Sequence, residues 1–206
     1  MTAPEAQAGP DRPLRLGIFG GTFDPVHLGH LRAASAVREA LGLDRVVLMV
    51  AGRPWQKAGQ AVTPAEDRYA LVEAATAGWD GLVPCRLEID REGDTYTVDT
   101  VRALSDRCPG ASLVLVVGSD VVGGLPTWHD GERLAGLVTL AVVARPGAEP
   151  ASVPPGWRST TLAVDTPDVS STELRARLRA GEPVAGVVPL PVMRRITERG
   201  LYATGR

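Results

Sequence analysis

Two histidines three residues apart, His27 and His30, close the run Gly17-Ile-Phe-Gly-Gly-Thr-Phe-Asp-Pro-Val-His-Leu-Gly-His30. Gly20 and Gly21 permit unusual φ angles and let a ligand come close to the backbone. The helix predicted beyond them starts with unpaired N–H groups and the positive end of its dipole, so this is an anion site. His27 and His30 are expected on one face of its first turn, with Gly29 leaving room for a ligand between them. Imidazoles there donate hydrogen bonds to phosphate oxygens and to charge developing at phosphorus. The run lacks the Gly-Lys-Ser/Thr of a Walker loop and the spacing of a dinucleotide fingerprint. A metal site of the protein's own is not expected. His129 is the only other imidazole, and Cys85 and Cys108 stand in no paired spacing.

Four later segments carry polar chemistry. Gly52-Arg-Pro-Trp-Gln-Lys57 holds the only lysine of a chain whose other 21 basic residues are arginines. Thr95-Tyr-Thr-Val-Asp-Thr100 offers Thr97 as a helix N-cap. Gly118-Ser-Asp120 follows a run of Val and Leu, and Trp128, eight residues on, could stack on a flat heteroaromatic ring. Ser170-Ser-Thr-Glu-Leu-Arg175 reads as a capping box whose serines open a helix, with Arg175 adding a planar charged fork one turn in.

Each of these segments must be held by regular structure. Strands are predicted at Leu14–Phe19, Arg45–Val50, Leu82–Leu87, Leu113–Val117, Val138–Val143 and Thr161–Val164, several as unbroken Val/Leu runs of the kind buried on both faces. Thr63-Pro-Ala-Glu66 predicts a capping box with Pro64 at the first helical position, for a helix to about Thr76. Another helix runs from the Ser170 box to near Gly181, and a last one covers about Val192–Arg199. Alternating strands and helices imply an α/β fold, a doubly wound, mostly parallel sheet with ligands beyond the carboxyl ends of its strands. Residues 1–12 read as a disordered tail and 13–206 as one domain with a small helical part from about 166. Pro146–Arg158 reads as a loop without legible chemistry.

The chain has 206 residues, ample for a core without disulfides. Its net charge of −2 gives no basic footprint for nucleic acid. Neither a signal peptide nor an apolar run of membrane length is present, so a cytoplasmic location is expected.

The run Gly-Gly-Thr-Phe-Asp-Pro-x-His-x-Gly-His, at 20–30, resembles the signature of the nucleotidylyltransferase superfamily. From Gly17 to about Arg175 the chain resembles the bacterial nicotinate-mononucleotide adenylyltransferases within it. The resemblance implies a Rossmann-like fold and adenylyl transfer from ATP to nicotinate mononucleotide, a step of NAD biosynthesis. It assigns Gly20, Gly21, Thr22, Phe23, His27 and His30 to ATP. The later Gly118, Asp120, Arg145, Ser170, Ser171 and Arg175 join them. It assigns Gly21, Lys57, Thr97, Asp120 and Trp128 to nicotinate mononucleotide. His27, His30, Lys57 and Arg175 are the expected catalytic set, and Mg²⁺ would come with the ATP phosphates. The family often has Pro-Pro-His-Lys where this chain has Pro54-Trp-Gln-Lys57, so Trp55 and Gln56 depart from the pattern. Neither nucleic acid nor membrane is an expected partner, and a homo-oligomer is compatible with the sequence. Two other readings are a pantetheine-phosphate adenylyltransferase, which usually has Thr where His27 stands, and a nucleotide-sensing module without turnover.

Overall fold

The computed structural model describes residues 12–54, 59, 61–149 and 151–203; Trp55, Gln56 and Lys57 lie outside them. Six strands are formed among the described residues: β1 (Arg15–Gly21), β2 (Arg45–Val50), β3 (Leu82–Cys85), β4 (Ser112–Gly118), β5 (Thr139–Ala144) and β6 (Ser159–Ala163). The helices are α1 (Leu28–Ala40), α2 (Ala65–Thr76), α3 (Thr97–Arg107), α4 (Ser119–Val122), α5 (Gly131–Leu137), α6 (Ser171–Ala180) and α7 (Leu190–Arg199).

The strands are all parallel, in the order β3-β2-β1-β4-β5-β6. Their unbroken apolar runs follow from this, because both faces are covered. One apolar cluster joins Leu31 and Val37 of α1 and Leu71 of α2 to Leu174 of α6 and Ile196 of α7. The C-terminal helices thus pack into the same core as the first ones. The second cluster lies on the opposite face and draws on Val98, Val101 and Leu104 of α3 and Leu134 of α5. Strand order reverses between β1 and β4, which pair with Phe19 beside Val116. That reversal opens a crevice beyond the strand ends.

Boundaries differ from the sequence reading where tertiary bonds compete with local ones. β3 stops at Cys85, because the chain turns over residues 86–90 with the N–H groups of Ile89 and Asp90 both donating to the Arg86 carbonyl. The Thr63 capping box does not form. Thr63 N–H donates to Asp24 Oδ2 (3.3 Å), its carbonyl accepts from Arg68 (2.8 Å), and Pro64 is the N-cap. Tyr96, not Thr97, is the N-cap of α3. Ser170 does cap α6, accepting from Glu173 N–H at 3.1 Å, and Gly181 ends that helix at φ 70°. Arg12 pairs with Asp44. In the loop at 146–158, Ala151, Val153 and Trp157 pack on the second cluster.

Candidate active site

β1 delivers Gly20 and Gly21 to the crevice, and the loop that follows turns into α1 at His27. His27 is the N-cap itself, one residue outside the helix, with extended backbone. Its N–H donates to His30 Nδ1 at 3.3 Å, and the two rings lie 3.7 Å apart at 32°. His30 therefore carries its proton on Nε2 when neutral. Burial holds the His27 imidazole down at about 4, so it is uncharged at neutral pH. Its Nδ1 is buried without a hydrogen-bond partner among the described residues.

The glycines act differently from the expectation. Neither Gly20 nor Gly21 takes a positive φ; Phe23 does, at 50°. A Cβ on Gly21 would stand 2.9 Å from the Phe23 ring, so that glycine makes room for Phe23. Phe23, expected at ATP, is 2% exposed in the core. Its ring meets His30 edge-on at 5.0 Å and so holds that imidazole in place. The His27 ring lies beside Gly29, 3.0 Å from where a Cβ would sit, and both residues line the second cavity described below.

Two sets of cavities flank the ends of β1 and β4. The first, of 260 Å³, is lined by Gly20, Gly21 and Thr22 on one side and by Thr97, Gly118 and Trp128 on the other. Thr97 opens α3, so the N–H groups of that helix start at the cavity wall. Tyr96 stacks on His129 at 4.3 Å, and Arg102 reaches Asp130 at 3.6 Å; both ties fasten the Trp128 segment to α3. The second cavity, of 170 Å³, brings His27 and His30 together with Gly118, Asp120 and Arg145. A third, of 540 Å³, shares His27, His30, Asp120 and Arg145 with it and adds Ser170 and Ser171 at the start of α6. Most of the residues expected around ATP thus meet here, although Gly20, Gly21 and Thr22 face the first cavity instead.

Arg175 sits behind this wall. Its Nη1 donates to the Asp24 carbonyl at 2.7 Å and lies 4.0 Å from the Asp24 carboxylate, while Nη2 donates to Thr172. Ser171 donates to the Pro25 carbonyl at 3.0 Å. α6 is thereby bonded to the loop between β1 and α1, and Arg175 fixes that loop before it meets any phosphate.

Several contributors had no signal in the sequence. Arg68 of α2, 1% exposed, donates to the carbonyls of Thr22, Ala51 and Thr63, each at 2.8 Å, and so ties three segments around the crevice. Tyr202 donates to Asp24 Oδ1 at 2.7 Å from the far end of the chain. Both could be found only by knowing which distant segments meet. Glu88, buried in the first cavity, is another.

Comparison with known proteins agrees with this geometry. A family model described as cytidylyltransferase-like matches residues 18–177. A relative from Corynebacterium kroppenstedtii named "Probable nicotinate-nucleotide adenylyltransferase" is 45% identical over 192 residues, covering 91% of this chain and 90% of its own. One of the same name from Thermus thermophilus is 44% identical, covering 92% and 100%. In fold, the chain is similar to the Plasmodium falciparum nicotinic acid mononucleotide adenylyltransferase complexed with NaAD. That likeness has a TM-score of 0.74 at 15% identity, over 92% of this chain and 97% of that one. A parallel sheet reversed at β1 and β4, a histidine pair at the start of α1 and close relatives over nine-tenths of the chain make it a member of the cytidylyltransferase-like family, in its nicotinate-nucleotide adenylyltransferase branch.

Proposed function

We propose that this chain transfers the adenylyl group of ATP to nicotinate mononucleotide, giving nicotinate adenine dinucleotide and pyrophosphate, a step of NAD biosynthesis carried out in the cytoplasm. The observation that carries the reading is the meeting of two unlike cavities at the ends of β1 and β4, where Phe19 and Gly118 line both. One has a helix start and an indole, suited to an anionic pyridine ring. The other has two imidazoles and a second helix start, suited to phosphates.

A phosphate oxygen of nicotinate mononucleotide attacks the α-phosphorus of ATP in line. A new P–O bond forms there as the bond to the β-phosphate oxygen breaks, and the electron pair leaves with pyrophosphate. The attacking oxygen is already anionic at neutral pH, so the protein need not remove a proton. Its task is positioning, worth about 7–11 kcal/mol in favourable cases, and stabilising charge on the phosphoryl oxygens. His30, donating from Nε2, and the neutral His27 are the donors for that charge. Asp120 and Arg145 hold the nucleotide, with the serines of α6 at the phosphates and Lys57 at the phosphate of the attacking nucleotide. Arg175 supports catalysis through the Asp24 loop.

Oxygen donors from Asp120, Ser170 and Ser171 fit a hydrated Mg²⁺ carried on the phosphates. When bound, that ion neutralises phosphate charge. Among the described residues no three His, Cys, Asp or Glu gather into a cage.

Pyrophosphate release measured with ATP and, in turn, nicotinate mononucleotide, its amide and phosphopantetheine tests the reading. The acid pyridine nucleotide is expected to be turned over fastest. Turnover of phosphopantetheine would assign the chain to the other adenylyltransferase, and no turnover with any of the three would make it a sensor.

A further inference from the structure

Glu88 is 7% exposed and stands in the turn after β3, among the residues that line the first cavity. It is the one lining residue there, among those described, with an ionisable side chain. Under the proposed function, on which this inference rests, a second carboxylate, that of the nicotinate ring, must come to the same cavity. Two carboxylates in a space that excludes water cannot both be charged without a large penalty.

The bonds around Glu88 show how one charge is removed. Its Oε1 lies 2.6 Å from Thr100 Oγ1, one turn into α3. The same hydroxyl lies 3.3 Å from the Tyr96 carbonyl and accepts from Arg91 Nη2 at 3.3 Å. A hydroxyl has one proton and two lone pairs. If Glu88 is ionised, the Thr100 proton goes to the carboxylate, and the Tyr96 carbonyl keeps only the backbone N–H groups of Asp99 and Thr100. If Glu88 is protonated, it donates to Thr100, Arg91 donates to the other lone pair, and the Thr100 proton goes to Tyr96. Only the protonated arrangement uses every donor and acceptor of the three bonds. It also leaves no negative charge on Glu88 in the cavity whose wall holds Thr97 at the start of α3, where the nicotinate carboxylate would bind.

We propose that Glu88 determines which pyridine nucleotide is accepted: protonated, it admits the acid, and ionised, it turns the cavity against the acid while leaving the neutral amide unaffected. Burial pushes the Glu88 carboxyl up to about 7, against the pull of the Thr100 bond and the Arg91 charge, so the two forms exchange near neutral pH. The charged and titratable groups facing it are Arg91, which favours the ionised form, and the thiol of Cys85. Burial raises that thiol above its ordinary value, so it stays neutral across this range.

The test is the ratio of kcat/KM for nicotinate mononucleotide to that for the amide between pH 6.5 and 8.5. An inhibition constant replaces kcat/KM where turnover of the amide is too slow. Both nucleotides carry the same ribose phosphate, so its titration, that of ATP and that of the histidines cancel in the ratio. In the unaltered protein the ratio falls about tenfold as pH rises, the size of one pK unit of coupling between the two carboxylates. In Glu88→Gln, whose amide can still donate to Thr100, the ratio is flat and stays at or above its pH 6.5 value. A flat ratio in the unaltered protein overturns the proposal even if the Gln variant does not fold, and so does an undiminished slope in a folded Gln variant. If neither pyridine nucleotide binds or turns over at any pH, the adenylyltransferase reading fails and the role of Glu88 with it. Turnover with a flat ratio removes the role of Glu88 alone.

Discussion

His27 and His30 share a motif but not an environment. His27 is buried and neutral, and its ring lies beside Gly29. His30 is held by the His27 N–H at Nδ1 and by the edge of Phe23, so its Nε2 is the better-placed donor. Replacing His30 by Ala is expected to lower kcat about 10²–10³-fold while changing KM for ATP little, the loss of one preorganised donor to a transition state. Steady-state kinetics in both substrates checks this, and near-native turnover would remove His30 from the chemistry. This pair was legible because residue type and spacing alone declare it. The Phe23 ring turns into the core, a direction that a sequence does not state for an aromatic side chain. Gly21 and Gly29 line the first and second cavities, and they also make room for the side chains of Phe23 and His27.

α2 carries no motif that points to the crevice, yet its Arg68 anchors two of the loops that border it. The guanidinium satisfies carbonyls 46, 17 and 5 residues away along the chain. A fully buried carbonyl without a donor costs roughly 1–3 kcal/mol, and Arg68→Met removes the donor from three half-buried ones. The variant is expected to lose about 3 kcal/mol and about 6–12 °C in Tm, and to raise KM for both nucleotides as the loops loosen. Thermal melts and kinetics together check it; an unchanged Tm would mean that water replaces Arg68. The helices and strands themselves were largely legible, since the apolar runs and the Ser170 cap are local signals. The ends of β3 and the cap of α2 were not. Residues 86–90 and Asp24 decide them, and such bonds leave no trace in nearby spacing.

At the scale of the molecule, the parallel sheet and its ligand-bearing edge followed from the alternation of elements. The order β3-β2-β1-β4-β5-β6 depends on pairings far apart in sequence, and only the fold displays it. Buried groups make the stability of the whole depend on pH. The folded state holds His27 at about 4, below its ordinary 6.5, so the unfolded chain takes up the proton first as pH falls. The stability that His27 contributes is complete above about 6.5 and is lost on the way down to 4, with about 2 kcal/mol gone by pH 5. Glu88 has the opposite sign: its contribution is complete below 4.5 and is lost as pH rises through about 7. Thermal melts at pH 7.5 and 5.0 are expected to bring His27→Asn and the unaltered protein closer together at the lower pH. A gap that widened instead would mean that His27 is charged in the folded protein. Phe19 and Gly118 belong to the walls of both the first and the second cavity, so little more than two strand ends separates them. A compound made by joining a pyridine fragment to an adenosine fragment would need only a short tether to fill both. Once its first half is seated, the second half binds at a high effective concentration, and joined inhibitors gain far more than either fragment alone.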